Sequence, residues 1–295
     1  MTRLFIIGNG FDLAHGIPSS YWDFGKYLER VDPTATRLIH EYLSVDENFW
    51  SNFEAQLGTF DSDAVIDYAE RFLVSYGADD WSDADHHNFE YEIEQIVEGL
   101  STRLRSRFAD WVRTLPMPAA GSFNPVQSID ANARFLSFNY TPTLQRLYGV
   151  PEPSVIHIHG QSLNIESSIV IGHAWEPGAD EQLASQIDEE TDVRVAGGYR
   201  LIDSYFSDTF KPTWSIIEQN SPFFTSLSDV NEIIVMGHSL SHVDAPYFEE
   251  VLKRVDRHHA RWTISYHNDS SKERHNFNAF HVAPDLVRFV PLKLL

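Results

Sequence analysis

The sequence predicts an α/β protein: a mostly parallel, doubly wound sheet interrupted by a helical insertion. Three observations carry this. Short apolar runs ending in glycine, asparagine or histidine alternate with helical patterns along most of the chain, the arrangement that winds helices over a parallel sheet. The clearest of these runs, RLFIIG and NEIIVMG, are continuously apolar and rich in β-branched residues, as buried strands are. Residues 34–115 instead keep apolar side chains in steps of three and four. The α/β part therefore comprises residues 1–33 and 116–295, and the helical insertion residues 34–115.

In chain order, residues 3–8 read as the first strand. A short helix over 19–30 follows, with Ser19 or Ser20 as its cap. In the insertion, Phe49, Trp50, Phe53 and Leu57 share a helical face, as do Val65, Ile66, Ala69, Phe72, Leu73 and Tyr76. The run from Phe89 to Leu115 predicts one long amphipathic helix, with GADDWSDADHHN (77–88) as the acidic loop before it. After the break PMPAAGSFNP come a strand (133–138), a helix (141–149) and two strands (154–160 and 167–173). Residues 178–222 read as helical, with Asp203, Asp208 and Lys211 on a second helical excursion. A strand over 231–240, a helix over 244–255, a strand over 261–268, a helix near 270–280 and a strand over 286–292 complete the series.

Composition narrows the function. The chain has 295 residues, 42% of them hydrophobic, and a formal net charge of −21. That balance argues against a general grip on nucleic acid or docking on anionic lipid, both of which need a basic footprint. The absence of cysteine excludes disulfides, thiolate zinc sites, iron–sulfur clusters and a cysteine nucleophile. With no signal peptide or apolar span in view, a cytoplasmic protein without membrane association is the expectation.

Ligands of open parallel sheets bind at the carboxyl ends of strands. Five predicted strand ends carry glycine, asparagine or histidine: Gly8 to Asp12, Asn139 to Thr141, His157 to Gly160, Gly172-His173, and Gly237 to Leu240. Gly8 and Gly10 permit close backbone approach, either to a phosphate or simply within a tight turn. Asp12 reads either as a helix cap or as a group facing a ribose or a histidine. His157 and His159 alternate along a strand and so cannot line one pocket together. His159, nearest the strand end, is the cleft candidate, and His157 packs behind it. Asn139 offers both a donor and an acceptor, for a water or a sugar hydroxyl, or else caps the next helix. Asp244 is read as a cap for the helix that follows. Trp50, Glu54, Lys211 and Thr213 read as helix packing and solvated charge.

Two resemblances meet at these residues. GNGFDLAHGIPSSYWDF, WSNFE (50–54), FNYTPTLQRLY (138–148), HIHG (157–160), IGH (171–173), KPT (211–213) and GHSLSHVDAPYF (237–248) resemble, in order and over nearly the whole chain, the AbiH family of bacteriophage abortive-infection proteins. A more distant likeness is to the sirtuin-like, Rossmann-like NAD-binding fold. GNGFDLAHGIP shares that fold's glycine spacing, and FNYT, HIHG and GHSL fall at its later turns. The likeness implies Asn139 and His159 as catalytic residues, the first orienting a ribose or a water and the second acting as general base. Asp12 and His15 stand beside them as tuning groups. It places Gly8, Asn9, Gly10, Phe11, Pro18, Tyr140, Thr141, Gly237, His238, Ser239 and Asp244 around the cofactor. Without cysteines there is no zinc ribbon, so protein deacetylation is not expected. Ser19-Ser20-Tyr21 also removes an arginine that organises the cofactor loop in sirtuins.

The resulting expectation is an abortive-infection effector that binds NAD and hydrolyses its N-glycosidic bond without a metal, a reaction that needs a fixed sugar, a positioned water and a nearby base. Its partners would be a small nucleotide and a phage-derived trigger, with self-association open. One alternative is a metal-dependent nuclease or phosphodiesterase using Asp12, His15, His159, His173 and His238. Another is a non-catalytic nucleotide sensor that signals through the helical insertion.

Overall fold

The computed structural model describes residues 2–79, 81–83, 85–119, 121–164, 168–175 and 177–295. In chain order its elements begin β1 (Arg3–Ile7), α1 (Asn9–Ala14), α2 (Tyr21–Val31), α3 (Pro33–Tyr42), α4 (Phe53–Gln56), α5 (Ser62–Ala69), α6 (Asp85–Leu100) and α7 (Thr102–Thr114). They continue with β2 (Arg134–Ser137), α8 (Thr143–Tyr148), β3 (Val155–His157), α9 (Val193–Thr209), α10 (Thr213–Gln219) and α11 (Ser221–Thr225). The chain closes with β4 (Glu232–Met236), α12 (Ala245–Arg254), β5 (Arg261–Tyr266), α13 (Ser271–Asn278) and β6 (Val287–Pro291). Two compact units emerge. One comprises Met1–Ser20, Trp111–Val170 and Pro212–Leu295; the other comprises Tyr21–Asp110 and Ile171–Lys211.

The first unit contains the sheet, whose six strands run parallel in the order β3-β2-β1-β4-β5-β6. Both faces of its central strands are buried, which explains their unbroken apolar runs. Leu4 and Ile6 of β1 join Leu136, Ile233 and Val235 in a core shared with α10 to α13. Phe5 and Ile7 point the other way, into a core with Phe135, Ile234, Met236, Phe11 of α1 and Leu144 of α8. There Phe5 stacks on Phe135 with ring centroids 5.1 Å apart. Fully burying a side chain of this size contributes roughly 1.5–3 kcal/mol. α8 stops at Gly149, whose left-handed φ of +65° ends the helix.

The second unit is helical. Apolar side chains of α2, α3, α5 and α6 are buried in it, and Arg103 and Arg107 of α7 grip the buried Asp32. Asp32 also caps α3, accepting from the Ala35 N–H. Burial pushes its carboxyl up, yet the two guanidinium groups hold it below the ordinary value.

Several expectations change. The single long helix over 89–115 is divided at Ser101 into α6 and α7, although the Ser101 N–H and hydroxyl both donate to the Val97 carbonyl, at 2.9 and 2.6 Å. The acidic loop over 77–88 is shortened because α6 starts at Asp85; residues 80 and 84 lie outside the described residues. Residue 167 of the expected strand 167–173 is also outside them, and residues 168–173 form no strand. The backbone bonds there run elsewhere, from Val170 N–H to the His159 carbonyl and from His173 N–H to the Thr209 carbonyl. His173 pairs with Phe210 only as an isolated bridge. Residues 21–33 and 171–211, which the sequence leaves in the α/β part, lie in the helical unit. Ser19 does not cap α2, because its hydroxyl donates to the Asn9 side chain.

Candidate functional site

Strand order reverses between β1 and β4, so the turns leaving those two strands lie where parallel sheets open a ligand crevice. The two turns press against each other. A Cβ on Gly8 would lie 2.6 Å from the His238 Cα, and one on Gly10 would lie 2.9 Å from the Gly237 carbonyl oxygen. Gly237 itself has φ +64°, and a Cβ there would meet the Phe11 nitrogen at 2.1 Å. Only glycine suits that position. The N–H groups of Gly8, Gly10 and Phe11 donate to the carbonyls of Met236, Gly237 and Gly8, and that of Gly237 donates to the Ser265 hydroxyl. The glycine loop thus contributes close packing more than donors for a phosphate.

Asp12 sits on α1 and is only 1% exposed. It faces neither a cap nor a histidine: Thr141 donates to one carboxylate oxygen at 2.5 Å and Thr143 to the other at 2.6 Å. Burial raises its pKa, opposed by those two bonds, by the nearby Asn139 amide and by His15. Thr143 is a site residue that the sequence reading missed. Its signal was the Thr-x-Thr spacing just after Asn139.

Asn139 follows β2 and is buried, and its backbone is firmly held. Its N–H donates to the Ser137 hydroxyl, and its carbonyl accepts from Nδ1 of His157 at 2.8 Å. Gln145 donates to the other nitrogen of His157 at 2.9 Å, which fixes the ring in its Nδ1–H form. Burial lowers the His157 pKa, keeping the ring neutral in this supporting role. By contrast, neither the Nδ2 nor the Oδ1 of Asn139 completes a hydrogen bond of good geometry, although both atoms are buried and the amide stands close enough to Asp12 to help hold down that carboxyl's pKa. Almost every buried amide in a native protein is paired, so this one needs an explanation.

His159 lies beyond the end of β3, in a turn closed by Gly160 at φ +89°. The alternation argument for His157 and His159 therefore does not apply, although the two rings still serve different neighbours. His159 is buried with its Nε2 3.6 Å from one oxygen of Asp244. The other oxygen of Asp244 lies 3.4 Å from Nε2 of His238. Asp244 holds the cap position of α12, but its carboxylate makes no capping bond, contrary to the sequence reading. Phe138 sets its ring edgewise to both imidazoles, at 5.2 Å from His159 and 4.3 Å from His238.

The other expected residues scatter. Tyr148 and the Phe11 carbonyl each bond a nitrogen of His15 at 2.6 Å, so its ring is fully committed to the fold. Phe11 is core. The Asn9 side chain clasps Ser19 through two bonds, one to its carbonyl and one from its hydroxyl. Tyr140 donates to the Val170 carbonyl. Pro18 and Ser239 are exposed. Of the five residues read for a metal site, His159 and His238 share Asp244, whereas Asp12 and His15 are bonded to other groups as described. Among the described residues, no group of three or more His, Asp or Glu is arranged to hold a metal.

The helical unit has a polar centre of its own that the sequence reading treated as solvated charge. Lys211 is fully buried, with Nζ 2.5 Å from Glu54, whose other carboxylate oxygen accepts from the Tyr21 hydroxyl. The Lys211 N–H donates to the His173 carbonyl. His173 bonds the Thr209 hydroxyl and accepts from the Trp175 N–H, and burial lowers its pKa to about 4. WSNFE, IGH and KPT thus converge here through Glu54, His173 and Lys211.

Among the described residues, no helix is long and apolar enough to cross a membrane. No curated protein matches the chain. A family model described as bacteriophage abortive infection AbiH matches residues 4–266.

Proposed function

The chain belongs to the AbiH family of bacteriophage abortive infection proteins, and from that premise we propose that it acts in abortive infection by binding NAD and hydrolysing its N-glycosidic bond. The observation that carries this reading is the Asn139 carboxamide, held rigidly from behind with neither polar atom completing a hydrogen bond of good geometry. A donor and an acceptor fixed side by side suit a sugar hydroxyl or a positioned water. The strand order 3-2-1-4-5-6, with apolar cores on both faces, is that of doubly wound, Rossmann-like dinucleotide folds. It supports the sirtuin-like assignment, in which the glycine turns would border the dinucleotide.

In this reading Asn139 orients the ribose and the attacking water. His159 takes the proton of that water as its oxygen bonds to the anomeric carbon. The bond to nicotinamide breaks with its electron pair going to the ring nitrogen, which leaves neutral. The transition state is oxocarbenium-like, so fixing the sugar and the water supplies much of the rate. Gly8, Gly10 and Gly237 let the two turns pack closely together beside the dinucleotide, and Asp12 ties α1 to the segment after Asn139 through Thr141 and Thr143.

The test is chromatography of NAD incubated with the purified protein. Nicotinamide and ADP-ribose should appear in equal amounts. H159A and N139A should abolish their release while far-UV circular dichroism and the unfolding midpoint stay near wild type. Turnover that survives H159A refutes the mechanism. Tight binding without any product would instead favour the non-catalytic sensor.

A further inference from the structure

The GHSL turn contains a buried core residue in a strained backbone conformation. Leu240 adopts φ +56°, a left-handed conformation that is uncommon for a non-glycine residue and that tends to persist where a site needs it. Its consequence is a hydrogen bond: the Leu240 N–H points at Nδ1 of His238, at 2.9 Å. With Nδ1 accepting, the proton of the neutral imidazole must sit on Nε2, the nitrogen that faces Asp244. The second oxygen of the same carboxylate faces Nε2 of His159. All three side chains are buried, and Asp244 stands at the start of the ten-residue helix α12, where the helix dipole favours its ionised form.

We infer that Asp244 is a positioning residue shared by two histidines, with His238 anchoring one oxygen so that the other can support positive charge on His159. The part of this inference that concerns turnover rests on the reading above, in which His159 accepts a proton. The Nε2–H of His238, aimed by Leu240, turns the carboxylate toward the two rings, where it makes no capping bond to α12. The titratable groups packed against His159 are Asp244, Tyr140 and Tyr247, and His238 is faced by Asp244 together with Phe138 and Phe248. Asp244 thus contacts both rings through one carboxylate. A carboxylate within 4–6 Å favours the imidazolium by one to a few pKa units.

The experiment follows the imidazole nitrogens of the full-length, ¹⁵N-labelled protein through pH without any nucleotide. In the wild type, neutral His238 should carry its proton on Nε2. In D244N, a nearly isosteric change, the His159 midpoint should fall by about one unit or more, because the partner that favours the charged ring is lost. His238 should then lose its single tautomer. If NAD is turned over, D244N should lower kcat more than it raises KM, and the acid limb of the pH profile should move down with the His159 midpoint. A wild-type His238 with its proton on Nδ1, or an unchanged His159 midpoint in folded D244N, overturns the inference. If D244N does not fold, the wild-type tautomer decides. A wild type that leaves NAD intact sinks the proposed reaction, whereas the imidazole signals still decide the role of Asp244.

Discussion

The meeting of the two glycine turns can be tested with a single methyl group. Gly237→Ala adds a Cβ 2.1 Å from the Phe11 nitrogen and 2.5 Å from the Gly10 carbonyl carbon, so backbone has to move. It also places a side chain at φ +64°. The left-handed conformation costs roughly 1–2 kcal/mol, and forcing extra volume into packed structure costs about 1–3 kcal/mol more. Together they predict a loss of about 3 kcal/mol. Gly149→Ala is the matched control: its φ is +65°, it lies in the same unit, and nothing stands within 4 Å of the added Cβ. Only the conformational part, about 1–2 kcal/mol, applies there. Urea unfolding followed by tryptophan fluorescence reads both, since buried Trp262 reports on β5. If the two substitutions lower the midpoint equally, the close approach of the turns carries no energy and the argument for the shape of the crevice fails.

Two further outcomes concern the helical unit. Lys211→Met alone should cost about 3–5 kcal/mol because it leaves Glu54 largely buried without its cation, while the double change with Glu54→Gln should recover most of that in the same urea series; equal losses in the single and double variants would count against the pair. For His173 the folded pKa of about 4 lies below the unfolded 6.5, so the unfolded chain binds the proton first and stability is lost as pH falls through that window. At about 1.4 kcal/mol per pH unit the loss reaches at most about 3 kcal/mol, and an unfolding series in which H173Q keeps the wild-type acid slope would refute it.

The sheet was legible in the sequence because strands buried on both faces leave a continuous apolar run, as RLFII and EIIVM do. Periodicity read the helices nearly as well. It failed at Ser101 because the apolar spacing runs on across the junction of α6 and α7, from Leu100 to Leu104. It failed at 168–173 because an apolar stretch indicates burial and not a strand partner. Asn139, His159 and Asp12 stand out in the sequence by their place after strands. Their partners were not, because Asp12 with Thr143, and His159 with Asp244, are joined by residues far apart in sequence. Glu54 and Lys211 were misread for the same reason: charge within helical segments looks solvated until a counter-charge 157 positions away is seen to cover it.

The chain's path through the two units also orders its assembly. Every piece of the helical unit has been synthesised once Lys211 is made, whereas β1, the first strand, gains its second neighbour only when β4 is complete at Met236. The turn that carries His238 comes later still. A nascent chain therefore holds an unpaired, strongly apolar strand edge while the helical unit is already able to condense, and non-local strand pairing of this kind is slow. A product stalled before residue 237 therefore lacks both the GHSL turn and Asp244.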